Sequence, residues 1–265
     1  MLLELEHIQK NFSSARDVSG SLLEDVSLSV GKGSVTALIG GNGTGKTTLF
    51  NIISGFDRDY RGRVILGGRD ITKLPPHKIA RLGVGRLFQG RQLMGDLTLL
   101  ENMMVASDEI LSERPLASIL RPRRTRMSEA EKERRAVDIL VRFFGENSVY
   151  LQKLHEKASS LSYGQQRLIA FVRLLMDQQE GHDRILLLDE PTSGVNPEFV
   201  DTLRSVIGKM VREDGVTVLM IEHNMAFVRS LADVCHYLSD GRIIKSGEVK
   251  DILDDPVIRK DYLGL

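Results

Sequence analysis

Apolar residues alternate with polar ones in some segments of this chain and form continuous runs in others. Residues 2–8 (LLELEHI) and 23–30 (LEDVSLSV) alternate apolar and polar side chains, which predicts antiparallel strands with one wet face. Five further strands are predicted from apolar segments at residues 35–40, 62–66, 83–88, 184–190 and 216–222. The last two are apolar throughout, as expected of parallel strands covered on both faces.

Helical segments alternate with these strands, so the pattern predicts the α/β class. The helix that follows the strand at 35–40 is expected to end at Gly55, because glycine is favoured at a helix C-terminus. The Asp-Gly pair within residues 239–242 predicts a hairpin turn. Cys235 lies in a window typical of a strand, so we expect a buried and inert thiol.

Strand signals disappear between about residues 95 and 180. Two capping-box pairs predict helix starts in this region, Thr98 with Glu101 and Ser128 with Glu131. After the second pair, apolar residues recur at helical spacing until Gly145; they are Ala136, Leu140 and Phe144. The chain is therefore predicted to form an α/β core from about 1–94 and 181–265, with a mostly helical subdomain inserted at about 95–180.

Composition excludes several classes of protein. The 265 residues carry 36 Lys and Arg against 36 Asp and Glu, and this balance argues against a broad electrostatic grip on nucleic acid. No segment approaches the ~20 apolar residues that span a bilayer, and the N-terminus does not resemble a secretion signal. We expect a cytosolic protein whose membrane role, if it has one, comes through a partner. The basic run at 121–126 is either a solvated loop or a contact for lipid headgroups or an acidic surface.

Residues 40–47 (GGNGTGKT) carry the clearest chemistry. They follow an apolar strand and open a helix, the context that the pattern G-x-x-x-x-G-K-[ST] requires. The glycines let backbone N–H groups surround phosphate oxygens, Lys46 supplies a cation for the β and γ phosphates, and Thr47 supplies a hydroxyl for Mg²⁺. The candidate ATP ligands here are Gly40, Gly41, Asn42, Gly43, Thr44, Gly45, Lys46, Thr47 and Thr48. The alternative is a glycine-rich turn that binds nothing.

Two adjacent acids follow the apolar strand at 184–190. Asp189 is carried to the carboxyl edge of the predicted sheet, where ligands bind in such folds, and can hold Mg²⁺ directly or through water. Glu190 comes next and points elsewhere, so it can accept a proton from an attacking water.

The segment LSYGQQR, residues 161–167, is by itself a plain helix start, because Ser162 and Gln165 form a capping box. Placed between the phosphate loop and Asp189, however, it resembles the L-S-G-G-Q signature of the ATP-binding cassette family, with Tyr163 in place of the first glycine. The resemblance covers essentially the whole chain. It implies an ATPase with a P-loop NTPase core, built from a mostly parallel sheet and an antiparallel β subdomain.

In that family two cassettes pair head to tail, and each signature helix caps the γ-phosphate bound by the other subunit. The resemblance therefore implies that Ser162, Gly164 and Gln165 complete a partner's site across an isologous interface. A second helix N-terminus is physically suited to this task, because it is a second anion receptor.

Four more positions match the family's motifs. Gln89 resembles the glutamine that touches Mg²⁺ or the attacking water and marks the entry to the helical subdomain. His223 resembles the switch histidine that contacts the γ-phosphate, whereas alone it would be an ordinary histidine at a strand end. Phe12 resembles the aromatic residue that stacks on adenine, although the segment after it is expanded. Asn196 stands at the usual aspartate of the D-loop and, with Pro197, also suits the start of a helix.

The resemblance implies the ATPase subunit of a membrane transporter, located peripherally on the cytoplasmic face of the inner membrane. Its implied partners are separate permease chains, a second cassette that is identical or different, and indirectly a solute-binding protein, with no nucleic acid. Segments that resemble importers of branched-chain amino acids or urea are 83–106, 161–167, 190–197, 221–228 and 255–265. Gly41 stands where such loops commonly have proline.

Two alternatives remain open at this point. A soluble scaffold or assembly ATPase with protein partners and no permease is the second candidate function, although the absence of extra domains argues against it. A groove for a permease helix is predicted at Leu93, Met94, Met103 and Met104, and its alternative is that the methionines are ordinary core residues.

Overall fold

The computed structural model describes residues 1–11, 21–87, 93–106, 129–176 and 183–260. Several predicted features therefore lie outside the described residues: Phe12, Gln89, the basic run at 121–126, Ser128 and the end of the chain at 261–265. The chain divides into two compact units, one formed by Met1–Gln89 with Gly181–Leu265 and the other by Gly90–Glu180.

Ten strands, ten α-helices and a 3₁₀-helix at Ala158–Ser160 are defined in the parts of the chain that the structure describes. The strands are β1 Leu3–Asn11, β2 Ser21–Val30, β3 Val35–Ile39, β4 Arg61–Leu66, β5 Arg69–Asp70, β6 Val84–Leu87, β7 Ile185–Asp189, β8 Thr217–Ile221, β9 Val234–Ser239 and β10 Arg242–Glu248. The helices are α1 Lys46–Ile53, α2 Pro76–Ala80, α3 Leu99–Val105, α4 Glu129–Phe144, α5 Val149–Gln152, α6 Tyr163–Arg173, α7 Pro197–Asp214, α8 Met225–Leu231, α9 Val249–Leu253 and α10 Pro256–Ile258.

The larger sheet has six strands in the order β10-β9-β3-β8-β7-β6. The five strands from β9 to β6 run parallel, and β10 pairs antiparallel with β9. Every residue of β3, β7 and β8 is buried, which confirms the prediction made from their unbroken apolar runs. The carboxyl ends of these three strands therefore share one edge of the sheet.

The smaller sheet has four antiparallel strands in the order β2-β1-β4-β5. Its alternating pattern is interrupted by register shifts in the β1–β2 pair, where His7 and Asp25 adopt positive φ angles of 53° and 117°. Residues of both sheets and α1 form one apolar cluster that includes Leu3, Leu38 and the fully buried Phe50. Removing a large buried side chain such as Phe50 typically costs about 3–5 kcal/mol, so this cluster is what fixes α1 against the sheets.

The β9–β10 hairpin joins the two sheets. Asp240 and Gly241 both have positive φ, 47° and 70°, as the predicted two-residue turn requires. The Gly241 carbonyl accepts the N–H of Glu24 in β2 at 2.8 Å. His236 in β9 is buried and places its ring between the Ser246 hydroxyl, 2.6 Å from Nδ1, and the Ser29 carbonyl, 3.1 Å from Nε2.

Helices form the second unit wherever the structure describes it, apart from an isolated bridge between Thr98 and Lys157. The predicted capping box at Thr98 and Glu101 is present in full. The helical spacing of Ala136, Leu140 and Phe144 before Gly145 is confirmed by α4, in which Ala136, Ile139, Leu140 and Phe143 are buried and Phe144 is partly buried. Phe144 packs against Tyr150, with ring centroids 4.2 Å apart.

The four residues of the predicted groove differ in burial. Leu93 and Met103 are core residues, Met104 is partly buried, and Met94 is 52% exposed. Across the part of the chain that the structure covers, no helix combines the length and the apolar character needed to cross a bilayer.

Candidate functional site

The phosphate loop lies between β3 and α1, at the carboxyl edge of the parallel sheet. Gly40 has φ +156°, and a Cβ there would run into the Leu238 carbonyl oxygen. Gly45 has φ +98°, and a Cβ there would lie 2.6 Å from Leu23 Cδ2. Both backbone angles favour glycine, and at Gly40 the Leu238 backbone also leaves no space for a side chain.

Lys46 is held inside this loop. Its Nζ donates to the carbonyl oxygens of Gly40 and Gly41 at 2.8 and 2.7 Å, and the residue is only 6% exposed. Burial lowers the pKa of Lys46, and the nearby charges of Glu190 and Asp189 counteract this. The result is a cation that is already pointed into the loop before a phosphate arrives.

The N-terminus of α1 is open. Gly45 is its N-cap and makes no side-chain capping bond, so the first backbone N–H groups remain available to an anion. Thr47, in the first turn, is exposed, and Thr44 donates its hydroxyl to the Gly41 carbonyl at 3.0 Å. Gly41, Asn42 and Gly43 form the partly or fully exposed crest of the loop.

Asp189 ends β7 at the same edge and is 6% exposed. Burial raises the pKa of its carboxyl group, while the Arg86 guanidinium acts in the opposite direction. A buried carboxylate of this kind gains most from a divalent cation, because the ion would replace the water that burial has removed. Asp189 and the exposed Thr47 hydroxyl are oxygen donors of the type that Mg²⁺ prefers, so this pair fits the ion.

Arg86 is a buried cation that the sequence patterns did not single out. It donates to Asn51 Oδ1 at 2.7 Å and Ser54 Oγ at 2.9 Å, both in or next to α1, and its Nη2 lies 3.8 Å from Asp189 Oδ2. The available signal was a charge inside the apolar segment GVGRLF, which a partner of opposite charge would explain.

Glu190 and His223 face each other across the ends of β7 and β8. Glu190 Oε1 lies 3.3 Å from His223 Nε2, and the side chains are 31% and 36% exposed, so solvent reaches both. Glu190 has φ +46°, a left-handed conformation that is uncommon for a residue with a side chain. Its N–H donates to the Ile221 carbonyl of β8 at 2.9 Å.

Glu222 is a second residue that the patterns missed. It lies between Ile221 and His223, is 2% exposed, and accepts three backbone N–H groups, from Thr192, His223 and Asn224. The available signal was an acid directly after a buried strand, in a position where an unsatisfied carboxylate would be costly.

Ser162 is the N-cap of α6 in the second unit. The capping box is complete, since Gln165 N–H donates to Ser162 Oγ at 3.3 Å and Ser162 N–H donates to Gln165 Oε1 at 2.9 Å. Ser162 and Tyr163 are exposed, while Gly164 and Gln165 are partly so. Asn196 likewise caps α7 through Phe199 N–H, so its predicted role at a helix start is confirmed.

The structure therefore brings the phosphate loop, Lys46, Asp189, Glu190 and His223 to one edge of the larger sheet. Cys235 is buried in β9, and its burial raises the pKa of the thiol to about 12, as expected of an inert cysteine.

Comparisons with known proteins agree on one family. A family model described as ABC transporter matches residues 23–193. The high-affinity branched-chain amino acid transport ATP-binding protein BraF of Pseudomonas aeruginosa is 36% identical over 263 residues, which are 99% of this chain and 98% of that protein. The protein LivG of Escherichia coli strain K12, named in the same way, is 33% identical over 247 residues, covering 92% and 93%.

Solved structures give the same result. A nucleotide-free ATP-binding cassette from an ABC transporter aligns with a TM-score of 0.79 and 31% identity, covering 100% of this chain and 99% of that one. A dimeric ATP-binding cassette in a post-hydrolysis state, bound to ADP and Pi, aligns with a TM-score of 0.72 and 25% identity, covering 94% and 99%.

Proposed function

The chain belongs to the ABC transporter family, and from this premise we propose that it is the ATPase subunit of an importer for branched-chain amino acids or related small polar solutes. The names of the relatives support the cargo class, since BraF and LivG are named for branched-chain amino acid transport. The cargo itself would be recognised by other chains, because the ATPase does not touch it.

One observation carries the catalytic part of the proposal, the 3.3 Å approach of Glu190 and His223 beside Lys46 and Asp189. Glu190 is proposed to accept a proton from the water that attacks the γ-phosphate. His223 contacts that phosphate, and Lys46 neutralises charge on the β and γ phosphates. Gln89 is proposed to position the water or the metal.

Mg²⁺ is the proposed metal, held by Thr47, Gln89 and Asp189. When bound, the ion neutralises negative charge on the phosphate oxygens. The chain's own contribution is to keep a buried carboxylate at the strand end and a hydroxyl in the first helical turn, close to the loop that binds phosphate.

Nucleotide binding is assigned to the loop residues 40–48, with Phe12 proposed to stack on adenine. The open N-terminus of α1 supports the loop assignment, because its N–H groups have no side-chain cap to compete with phosphate. Glycine at Gly40 and Gly45 lets the backbone approach the anion closely.

We propose that Ser162, Gly164 and Gln165 serve the ATP bound by a second cassette, which is either another copy of this chain or a related one. Ser162 is exposed at the N-terminus of α6, where the partial positive charge of the helix attracts an anion. ATP would then join two cassettes, and hydrolysis would release them.

The proposed permease contact lies in the helical subdomain of residues 95–180 and the segment that leads into it. Met94 is exposed and is anchored by Asn102, whose Oδ1 accepts Met94 N–H at 2.8 Å and whose Nδ2 donates to the Met94 carbonyl at 2.9 Å. A fixed, exposed methionine suits an apolar partner helix. The protein would thereby sit peripherally on the cytoplasmic face of the inner membrane.

Co-purification from native membranes in mild detergent tests the transporter role. We expect multi-span permease chains, a second cassette and a solute-binding protein to accompany the tagged protein. Met94→Glu should lose the permeases, while the matched surface variant Ile244→Glu, also at an exposed apolar position, should keep them. A purely soluble set of partners would favour the scaffold ATPase and refute the importer.

A further inference from the structure

Glu222 makes an unusual set of contacts for a buried side chain. Its Oε1 accepts the N–H of Thr192 at 2.7 Å, and its Oε2 accepts the N–H groups of His223 and Asn224 at 2.9 and 3.1 Å. The residue is 2% exposed, so water cannot replace these bonds. Each carboxylate oxygen thus serves a different segment of the chain.

The two segments are those that carry the proposed catalytic pair. Thr192 lies two residues after Glu190, in the segment that follows β7. His223 and Asn224 follow β8 and lead into α8, where Asn224 is the N-cap. The strands β7 and β8 pair in parallel with Asp189 opposite Ile221, so Glu222 joins two neighbouring strand ends.

The backbone at Glu190 needs such a restraint. Its φ of +46° is a conformation that a residue with a side chain keeps only where the surroundings fix it. The restraints in view are the bond from Glu190 N–H to Ile221, the bond from Ser193 N–H to the Glu190 carbonyl at 3.1 Å, and the bond from Thr192 to Glu222. In the third of these bonds the acceptor is a side chain, the Glu222 carboxylate.

We propose that Glu222 is a positioning residue for ATP hydrolysis. Its carboxylate fastens the Glu190 segment to the His223 segment and so sets the distance between Glu190 and His223. It acts through the backbone and does not touch the nucleotide. The proposal rests on the catalytic roles assigned to Glu190 and His223 under the proposed function.

Glu222→Gln is the sharpest test, because it keeps the shape of the side chain and removes one acceptor. Glutamine has one carbonyl oxygen and one NH₂ group, and the NH₂ group cannot accept an N–H. The variant can therefore hold the Thr192 segment or the His223 segment, but not both. The matched control is Glu24→Gln, which removes the same charge from an exposed glutamate that pairs with Arg242.

Amide hydrogen exchange measures directly whether the N–H groups bound by Glu222 are protected, and it does not depend on catalysis. In Glu222→Gln we expect exchange to accelerate by about tenfold or more at Thr192, or at His223 and Asn224, with the fold's strands unaffected. Glu24→Gln should exchange like the wild type at all three amides. Unchanged protection of all three amides in Glu222→Gln would overturn the proposal.

Steady-state kinetics distinguish a displaced catalytic group from a general disruption of the nucleotide site. Misplacing a catalytic group by about 1 Å costs up to roughly a hundredfold in rate, so kcat should fall by about ten- to a hundredfold in Glu222→Gln while the dissociation constant for ATP changes less than about twofold. Glu222→Asp keeps both oxygens on a shorter arm and should recover part of kcat. A parallel loss of nucleotide affinity and kcat, or no loss of kcat, would overturn the proposal.

Two further results keep the test decisive. If Glu222→Gln does not fold, Glu222→Asp is judged by the same exchange and kinetic criteria. If Glu190→Gln continues steady turnover, the catalytic assignment fails under the proposed function. Loosened amides in Glu222→Gln would then still show that Glu222 joins the two segments, so the two failures are distinguishable.

Discussion

At the scale of single residues, the phosphate loop depends on where glycine is required and where it is only present. Gly40 has no room for a side chain, because the backbone of Leu238 lies against it. At Gly41 a Cβ would meet only Thr44 Cγ2 at 3.6 Å, an ordinary contact, and the φ angle is not in the left-handed region.

Gly40→Ala should therefore damage the loop, and Gly41→Ala should not. The added methyl group at Gly40 must displace Leu238 or the loop, which typically costs about 1–3 kcal/mol of unfolding free energy and disturbs the carbonyl that binds Lys46. Urea unfolding and ATP binding measure the two effects. Equal stability and affinity for both variants would contradict the account of the loop.

Residues whose partners are distant in sequence were the hardest to predict. The glycine-lysine loop, Asp189, Glu190 and His223 were proposed from local patterns and from the order of motifs, and the structure places them at one edge of the larger sheet. Arg86 and Glu222 were not, because each gains its meaning from atoms on another segment: Asp189 and Asn51 for Arg86, and Thr192 for Glu222. A charge in an apolar window indicates that a partner exists but does not identify it.

At the scale of elements, local chemistry predicted where helices start. The capping boxes at Thr98 and Ser162 and the N-cap at Asn196 appear as expected, since each depends on bonds within one helical turn. The helical spacing in α4 was also predicted, although the spacing did not show that Phe143 would be buried and Phe144 only partly so. Periodicity identifies the apolar stripe of a helix, and the packing of neighbouring helices decides which residues fill it.

Burial also separated the methionines that the sequence treated alike. Met103 is fully buried in α3, whereas Met94 lies in the preceding loop and is exposed. The core interpretation is therefore confirmed for Met103, whereas the permease groove stays a prediction that rests on the exposed Met94. Exposure depends on which tertiary neighbours cover a side chain, and sequence alone does not contain that information.

At the scale of the whole molecule, the α/β class and the antiparallel sheet were predicted, but the strand order was not. The order β10-β9-β3-β8-β7-β6 interleaves strands from both ends of the chain, so that the phosphate loop after β3 and Glu190 after β7 lie at the same edge. His236 links the two sheets from within the core, through Ser246 in β10 and Ser29 in β2.

This link predicts that stability falls at acidic pH. Burial lowers the pKa of His236, against the opposing effect of the hydrogen bond to the Ser29 carbonyl, so the folded state resists protonation. The unfolded chain takes up the proton below about pH 6.5, and the free energy of unfolding therefore decreases as pH falls through that value. Above it, the contribution is fully present.

Urea unfolding at pH 7.5 and pH 5.5 measures the effect. Wild type should lose more unfolding free energy between the two conditions than His236→Gln, which has no titrating ring. His7→Gln is the control, because His7 is an exposed histidine with a 77% exposed side chain. An equal pH dependence for wild type and His236→Gln would contradict the buried-link account.

The central claim is that Glu190 accepts the proton of the water that hydrolyses ATP in its own cassette. Ser162 completes the ATP site of the other cassette. Light scattering of Glu190→Gln with ATP and Mg²⁺ tests it most directly. We predict that Glu190→Gln forms a stable particle of twice the chain's mass. With Ser162→Arg introduced as a second substitution in the same chain, we predict a particle of one chain's mass that still binds ATP. Steady turnover by Glu190→Gln, or loss of ATP binding by the single Ser162→Arg chain, would contradict it.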